Sequence, residues 1–321
     1  MKLITLTCLL LIHFGSQAQE NSFSFSESYK VSEPAQVSVS SSDGNIEVLP
    51  SEQSGIELRY IVKRNNKILQ ISRAELEKEV TLEIISTANS LKINVKYPNN
   101  SGFFDSNNRI TVSFKMLVPK QTACELRTSD GNISVSGLNS DQQLYTSDGN
   151  IHVSAIKGTV KGRTSDGNIL VKEIRGPVDF VTSDGNMVLE YIVGDVLSST
   201  SDGNIQASKI KGDLSLRTSD GHIEFDALEG SVTAVTSDGN IKGSVAKLQK
   251  RLSLRTGDGN ITVTIPDKLG LNLDLRGTSI QTSLKNFSGT SKKELIQGKL
   301  NGGGIPVELK VSDGNVILNY R

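Results

Sequence analysis

One tripeptide, Ser-Asp-Gly, returns along this chain at a fixed interval, and that interval limits the fold more than any other feature. Asp130, Asp148, Asp166, Asp184, Asp202, Asp220 and Asp238 are each eighteen residues from the next. A threonine opens every copy: Thr128, Thr146, Thr164, Thr182, Thr200, Thr218 and Thr236. An eighth copy, Thr256-Gly257-Asp258-Gly259-Asn260-Ile261, follows after twenty residues, the extra two being absorbed in residues 246–251. Outlying copies stand at Ser42 to Ile46 and Ser312 to Val316. A period of this length means that each unit buries its apolar face only against its neighbours.

Eighteen residues are too few for two packed helices. Counted from the threonine, the fourth position is Gly131, Gly149, Gly167, Gly185, Gly203, Gly221, Gly239 and Gly259, and a second glycine usually occupies the thirteenth. Between these breaks the apolar residues alternate with polar ones, the period of a half-buried strand. The sixth position reads Ile133, Ile151, Ile169, Met187, Ile205, Ile223, Ile241 and Ile261; the eleventh and fifteenth are aliphatic columns as well. Each unit therefore reads as strand, glycine turn, strand, Asp-Gly turn. Stacked about 4.8 Å apart, such units predict an all-β fold, a parallel β-solenoid with 18-residue coils. An antiparallel hairpin array competes, because Asp-Gly is also a hairpin signal; identical residues at identical corners favour in-register stacking.

The ends depart from the rhythm, as a stack that must cover its terminal coils requires. Residues 1–18 read as a signal peptide, with Lys2, an apolar run from Leu3 to Phe14, and small residues Ser16 and Ala18. Residues 19–127 read as an irregular β-rich N-terminal cap with strands at Val37 to Val48, Ile56 to Lys63, Val80 to Ile85, Leu91 to Tyr97 and Ile110 to Val118. Ser72 and Glu75 form a capping box there, predicting one short helix over Arg73 to Glu79. The solenoid repeats occupy 128–265. Residues 266–321 form C-terminal coils and a cap, with a loop at Asn301-Gly302-Gly303-Gly304 and a closing strand from Val307 to Leu318.

Composition excludes several classes. Basic and acidic residues balance at 35 each, so a nucleic-acid partner is disfavoured. After residue 18 no stretch approaches the roughly 18–20 apolar residues of a membrane span. Cys124 is the one cysteine left beyond the signal segment, so no intramolecular disulfide forms.

The opening half ending in Leu117-Val118-Pro119-Lys120 and Cys124-Glu125-Leu126-Arg127, the tandem Ser-Asp-Gly-Asn-Ile coils and the terminal Ser312-Asp313-Gly314-Asn315-Val316 resemble the bacterial "putative adhesin" family of β-strand-repeat domains of unknown function. The resemblance covers nearly all of the chain after residue 18. It implies an exported β-solenoid without an assigned catalytic set.

Three roles are open to the row Asp130, Asp148, Asp166, Asp184, Asp202, Asp220, Asp238 and Asp258. In a structural role, each carboxylate accepts the N–H two residues on, as an Asx-turn, while the glycine takes a positive φ. Arg127, Arg163, Arg217 and Arg255 are placed to offset the charge. As a calcium ladder, the row supplies oxygen ligands, but Lys157, Arg175 and Lys211 beside the second turn oppose a cation. As part of a β-helix enzyme, it needs a local break with paired acid and base; the breaks available are His152, His222 and Gly257. The expected function is a non-catalytic adhesion or scaffold module of the periplasm or cell surface, without cofactor, whose partner would be a cell-envelope protein or a glycan. The alternative is a carbohydrate-active or calcium-binding β-helix protein. Outward positions vary among Ser, Lys, Gln, Glu and His, and no large aromatic or basic patch marks a partner site.

Overall fold

The computed structural model describes residues 23–97 and 110–321. The predicted signal peptide lies outside them. Among the described residues 28 strands hydrogen-bond into a single sheet. Ile133 pairs beside Ile151, Ile151 beside Ile169, Ile169 beside Met187 and Met187 beside Ile205, every pair parallel. The second column behaves alike, with Val160 beside Val178 and Val178 beside Val196. The molecule is therefore a parallel β-solenoid and the hairpin array is excluded. These side chains are buried; each contributes about 1.5–3 kcal/mol only because the next coil covers it.

Each coil has three faces rather than the two read from the sequence. In the coil that opens at Thr164, the chain runs along Ile169 to Lys172 and bends at Glu173. It then makes a short face at Ile174 and Arg175, bends again at Gly176, and runs along Val178–Val181. The additional bend is made by a single left-handed residue that is not glycine: Ala155, Glu173, Tyr191, Lys209 and Ala227 have φ between 52° and 58°. Gly137 holds the same place in the first coil, with φ 73°. No local signal marks this bend, because the stacking of coils imposes it.

Scarce aromatics are accommodated by neighbours that shrink. Phe180 stands in a column between Gly162 and Ser198, and a Cβ built on Gly162 would overlap the Phe180 ring. Phe225 likewise lies between Ala207 and Gly243, with its ring over Gly243. The column keeps its volume per length of axis, which close packing demands.

Neither end follows chain order. Ala35–Ser40 lies parallel to Thr122–Arg127 and Ile46–Ser51 parallel to Ile133–Ser136. The outlying corner at Ser42 to Asn45 thus sits directly beneath that of Ser129 to Asn132, although some eighty residues separate them. A further layer, Ser90–Lys96 with Ile110–Pro119, lies below. Pairing then turns antiparallel, through Ile56–Arg64, Thr81–Ser86 and Phe25–Tyr29. At the other end Ile305–Asp313 is inserted between the strand ending at Asp258 and Leu271–Arg276. Asn315–Tyr320 is inserted between Ile261–Ile265 and Ser279–Thr282, and antiparallel Leu295–Leu300 and Phe287–Ser291 finish the stack. The strands expected from Val37 to Val48 and from Val307 to Leu318 are each broken in two, because each contains a corner that must stack on another.

The helix spans Arg73–Glu79 with both hydrogen bonds of the capping box present. It is tied to the first strand: Arg73 Nη1 donates to Glu27 Oε1 at 3.1 Å, and Tyr60 Oη donates to Glu27 Oε2 at 2.7 Å. Burial, with Glu27 beside it, pushes the Tyr60 phenol well above its ordinary pKa.

Candidate binding groove

The Thr-Ser-Asp-Gly-Asn corner is held by backbone and by Thr and Asn. The Ser129 carbonyl accepts from the Ser147 and Asp148 N–H groups, each at 2.9 Å, and from the buried Thr146 hydroxyl at 2.9 Å. Thr146 Oγ1 in turn accepts the Gly149 N–H at 3.2 Å. This pattern repeats with Thr164, Thr182, Thr200 and Thr218. Satisfying each buried hydroxyl within the ladder removes a cost of about 1–3 kcal/mol per group.

The corner glycines do not take the positive φ expected of them from Gly131 to Gly239; only the end copies Gly44, Gly259 and Gly314 do, at 105°, 146° and 145°. Glycine is required for another reason. A Cβ on Gly149, Gly167, Gly185, Gly203 or Gly221 would overlap the carbonyl oxygen of the glycine one coil below.

The Asx-turn expectation is also corrected. The N–H two residues after each aspartate is taken by the asparagine of the preceding coil: Asn150 N donates to Asn132 Oδ1 at 2.8 Å, and Asn168 N to Asn150 Oδ1 at 2.8 Å. The asparagine ladder runs from Asn45 to Asn315. His222 continues it, its N–H donating to Asn204 Oδ1 at 2.8 Å and its Nδ1 accepting from Asn240 N at 3.0 Å. The aspartates from Asp130 to Asp258 stand exposed at the outer edge. Two of the four arginines expected to offset them pair elsewhere: Arg127 with Glu125 at 2.9 Å and Arg255 with Glu308 at 3.3 Å. Among the described residues no three His, Cys, Asp or Glu side chains converge as metal ligands would. His152 is exposed in a separate coil from His222, and Gly257 keeps the serine's backbone bond, donating to the Ser237 carbonyl at 2.9 Å. Cys124 is buried, which pushes its thiol up to about 12.

The surface is less uniform than the sequence indicated. The left-handed bend and the short face that follows it carry two rows of outward side chains, and a groove of about 650 Å³ runs between them over successive coils. Tyr191 and Lys209 stand on one side, and Lys157, Arg175, Val193 and Lys211 on the other. Tyr191 and Val193 are 50% and 51% exposed, unusual for large apolar side chains beside polar neighbours. Lys209 fixes the Tyr191 ring: its ammonium donates to the phenol oxygen at 2.6 Å and lies 4.4 Å from the ring centroid. The hydrogen bond to Tyr191 raises the pKa of Lys209. Lys211 is paired with Glu229 at 3.0 Å, whereas Lys157 and Arg175 make no ion pair among the described residues. A second groove, of about 570 Å³, lies beyond the next corner and includes Leu197, 54% exposed. Sequence reasoning missed this site because its members belong to separate coils, recurring at eighteen-residue intervals in two rows; only the period, applied to outward positions, would have aligned them.

Among solved structures, the chain is similar to a "putative lipid binding protein" from Parabacteroides distasonis. The two are 16% identical, over 76% of this chain and 97% of that one, with a TM-score of 0.44. It is also similar to a "putative cell adhesion protein" from Clostridium sporogenes, at 10% identity over 92% and 99% of the two chains and a TM-score of 0.21. A "putative adhesin" from Bacteroides fragilis is 11% identical over 92% and 96%, with a TM-score of 0.31. No curated protein matches significantly. The Toastrack DUF4097 profile matches residues 34–319, from the first parallel layer to the strand that closes the last; the chain belongs to the Toastrack DUF4097 family, a family of domains of unknown function.

Proposed function

We propose that this protein is a non-catalytic binding module of the cell envelope, a stiff rod that recognises its partner through the groove beside Tyr191. The observation that carries this reading is the clustering of exposed apolar groups. Of the five large apolar side chains exposed among the described residues, Tyr191 and Val193 stand together in this groove, while Leu197 of the same coil lies in the second one. The corner carboxylates stand in equivalent settings one coil apart, whereas acid–base catalysis uses groups held in different ones. Export belongs to the same reading and rests on the segment from Lys2 to Ala18. A glycan and protein array probed with the chain from Gln19 onward, with and without calcium, tests it. The expected result is calcium-independent retention that falls when Tyr191 and Val193 are both replaced by Ser. Turnover of an arrayed glycan would overturn the non-catalytic reading, and strictly calcium-dependent retention would move recognition to the aspartate row.

A further inference from the structure

Tyr191 occupies a costly position. Its φ is 58°, a region where a bulky residue is a real outlier and where strain of about 1–3 kcal/mol persists only if the surroundings impose it. Stacking imposes the conformation on six successive coils: Gly137, Ala155 and Ala227 meet it with no side chain or a methyl group, and Glu173 and Lys209 with flexible charged ones. In this coil the chain places a large aromatic there, half exposed, with its ring fixed from one side by Lys209. The result is a flat apolar platform set before any ligand arrives, which lowers the ordering cost of binding. One and two coils away, at about 4.8 Å per coil, stand the cations Arg175 and Lys157, with Lys209 and Lys211 one coil the other way; against these four cations the lining has two carboxylates, Glu173 and Glu229, the latter paired with Lys211.

Resting on the reading of the groove as a binding site, we infer that its ligand is a linear acidic polysaccharide, one sugar ring stacked on Tyr191 and carboxylates of neighbouring sugars on Arg175 and Lys157. Register supports a glycan: a pyranose with its glycosidic oxygen advances by about one coil, so consecutive sugars meet consecutive coils. An extended peptide, at about 3.3–3.4 Å per residue, falls out of step. A peptide also has no strand edge to join here. The Ala155 N–H donates to the Lys172 carbonyl at 3.0 Å, Arg175 N–H to the Ile156 carbonyl at 2.8 Å and Gly158 N–H to the Arg175 carbonyl at 3.0 Å. The backbone is thus committed between coils, and β-augmentation is closed. The groove's lining comes from successive coils, from Ala155 to Ala246, which fits a polymer lying along it.

The test is calorimetric titration of the chain from Gln19 onward with three probes of similar length: oligogalacturonate, neutral oligogalactose and a polyglutamate peptide. The inference requires oligogalacturonate to bind, with at least tenfold weaker binding for Tyr191→Ala and for the double variant Lys157→Gln/Arg175→Gln. Ala155 and Ala227 already serve at the same bend, so Tyr191→Ala retains the fold, checked by an unchanged melting temperature. Leu197→Ser, in the other groove, should leave affinity within twofold of wild type. Preference for polyglutamate or for the neutral sugar, abolished by Tyr191→Ala, would overturn the acidic-glycan assignment and leave the groove a binding site. Oligogalacturonate binding indifferent to all three substitutions, or absent altogether, overturns the assignment as well; retention on the array lost with Tyr191 and Val193 then decides separately whether the groove binds anything.

Discussion

At the residue level the ladder tolerates a polar fault whose removal should help. Ser198 is buried in the column between Phe180 and Leu216, and its hydroxyl has no hydrogen-bond partner. A serine suits the space beside the Phe180 ring, but an unpaired buried hydroxyl costs about 1–3 kcal/mol. Ser198→Ala keeps the small volume and deletes the fault, so it should raise the unfolding free energy by about 1 kcal/mol, read as a higher denaturant midpoint at an unchanged slope. Thr182 is the contrast. Its hydroxyl reaches the Ser165 and Gly167 carbonyls at 3.0 and 3.1 Å, and both would lose a donor if it were removed. A buried hydroxyl in this core is stabilising only where a neighbouring coil presents carbonyls to it.

Packing between successive coils makes compensation a property of columns. Gly162→Val alone would drive two methyl groups into the Phe180 ring, and overpacking of this kind costs about 1–3 kcal/mol or more. Phe180→Val alone leaves a cavity and costs a similar amount. The two together restore an aliphatic column like that of Leu126 and Leu144. The double variant should therefore lose less stability than either single one, a favourable coupling of at least 1 kcal/mol in a double-mutant cycle; additive losses would show that the ring and the glycine are not matched. Near the C-terminal end, Glu308 joins neighbouring layers by receiving Arg251 at 3.0 Å and Arg255 at 3.3 Å, with Lys310 beside it. The hydrogen bond from Lys310, followed by the influence of Arg251, holds its carboxyl below the usual pKa. A carboxylate depressed in the folded state adds stability above its unfolded pKa and loses it as pH falls through the folded value. The fall in melting temperature on acidification should thus be shallower in Glu308→Gln than in wild type. Much of this scale was legible from the period: the columns, the strand faces and the helix over Arg73–Glu79 all follow from spacing and one capping box. The left-handed bend was not, because Ala155, Glu173, Tyr191 and Lys209 carry no shared local preference. Nor was the choice of asparagine over aspartate as the bonding rung, since both are equally regular in sequence and only the direction of the side chain separates them.

For the whole molecule, the decisive feature is that both outlying corners are threaded between layers made by other parts of the chain. An ordinary solenoid frays from its ends, because each terminal coil contacts only one neighbour. Here the C-terminal strand Ile305–Asp313 pairs on both edges, with Leu252 to Asp258 on one side and Leu271–Arg276 on the other. Gly314 stacks on Gly259, and Asn315 N donates to Asn260 Oδ1 at 2.9 Å. The motif at Ser312 to Val316 is thus a rung of the same ladder, placed late in the chain because the layer above it was laid down first in sequence. Withdrawing this strand breaks two interfaces at once and separates the cap strands from the rod. Opening the C-terminal end should consequently require nearly as much free energy as opening the middle, and amide exchange reads that quantity directly. The amides of Val307 and Leu309 are expected to exchange as slowly as those of Val171 and Leu189 in the central coils. Those of Ser288 and Thr290, on a strand paired among the described residues only with Leu295–Leu300, should exchange much faster although they precede Val307 and Leu309 in sequence. Protection that declines smoothly toward residue 321 would contradict the interleaved end and return the molecule to a simple stack.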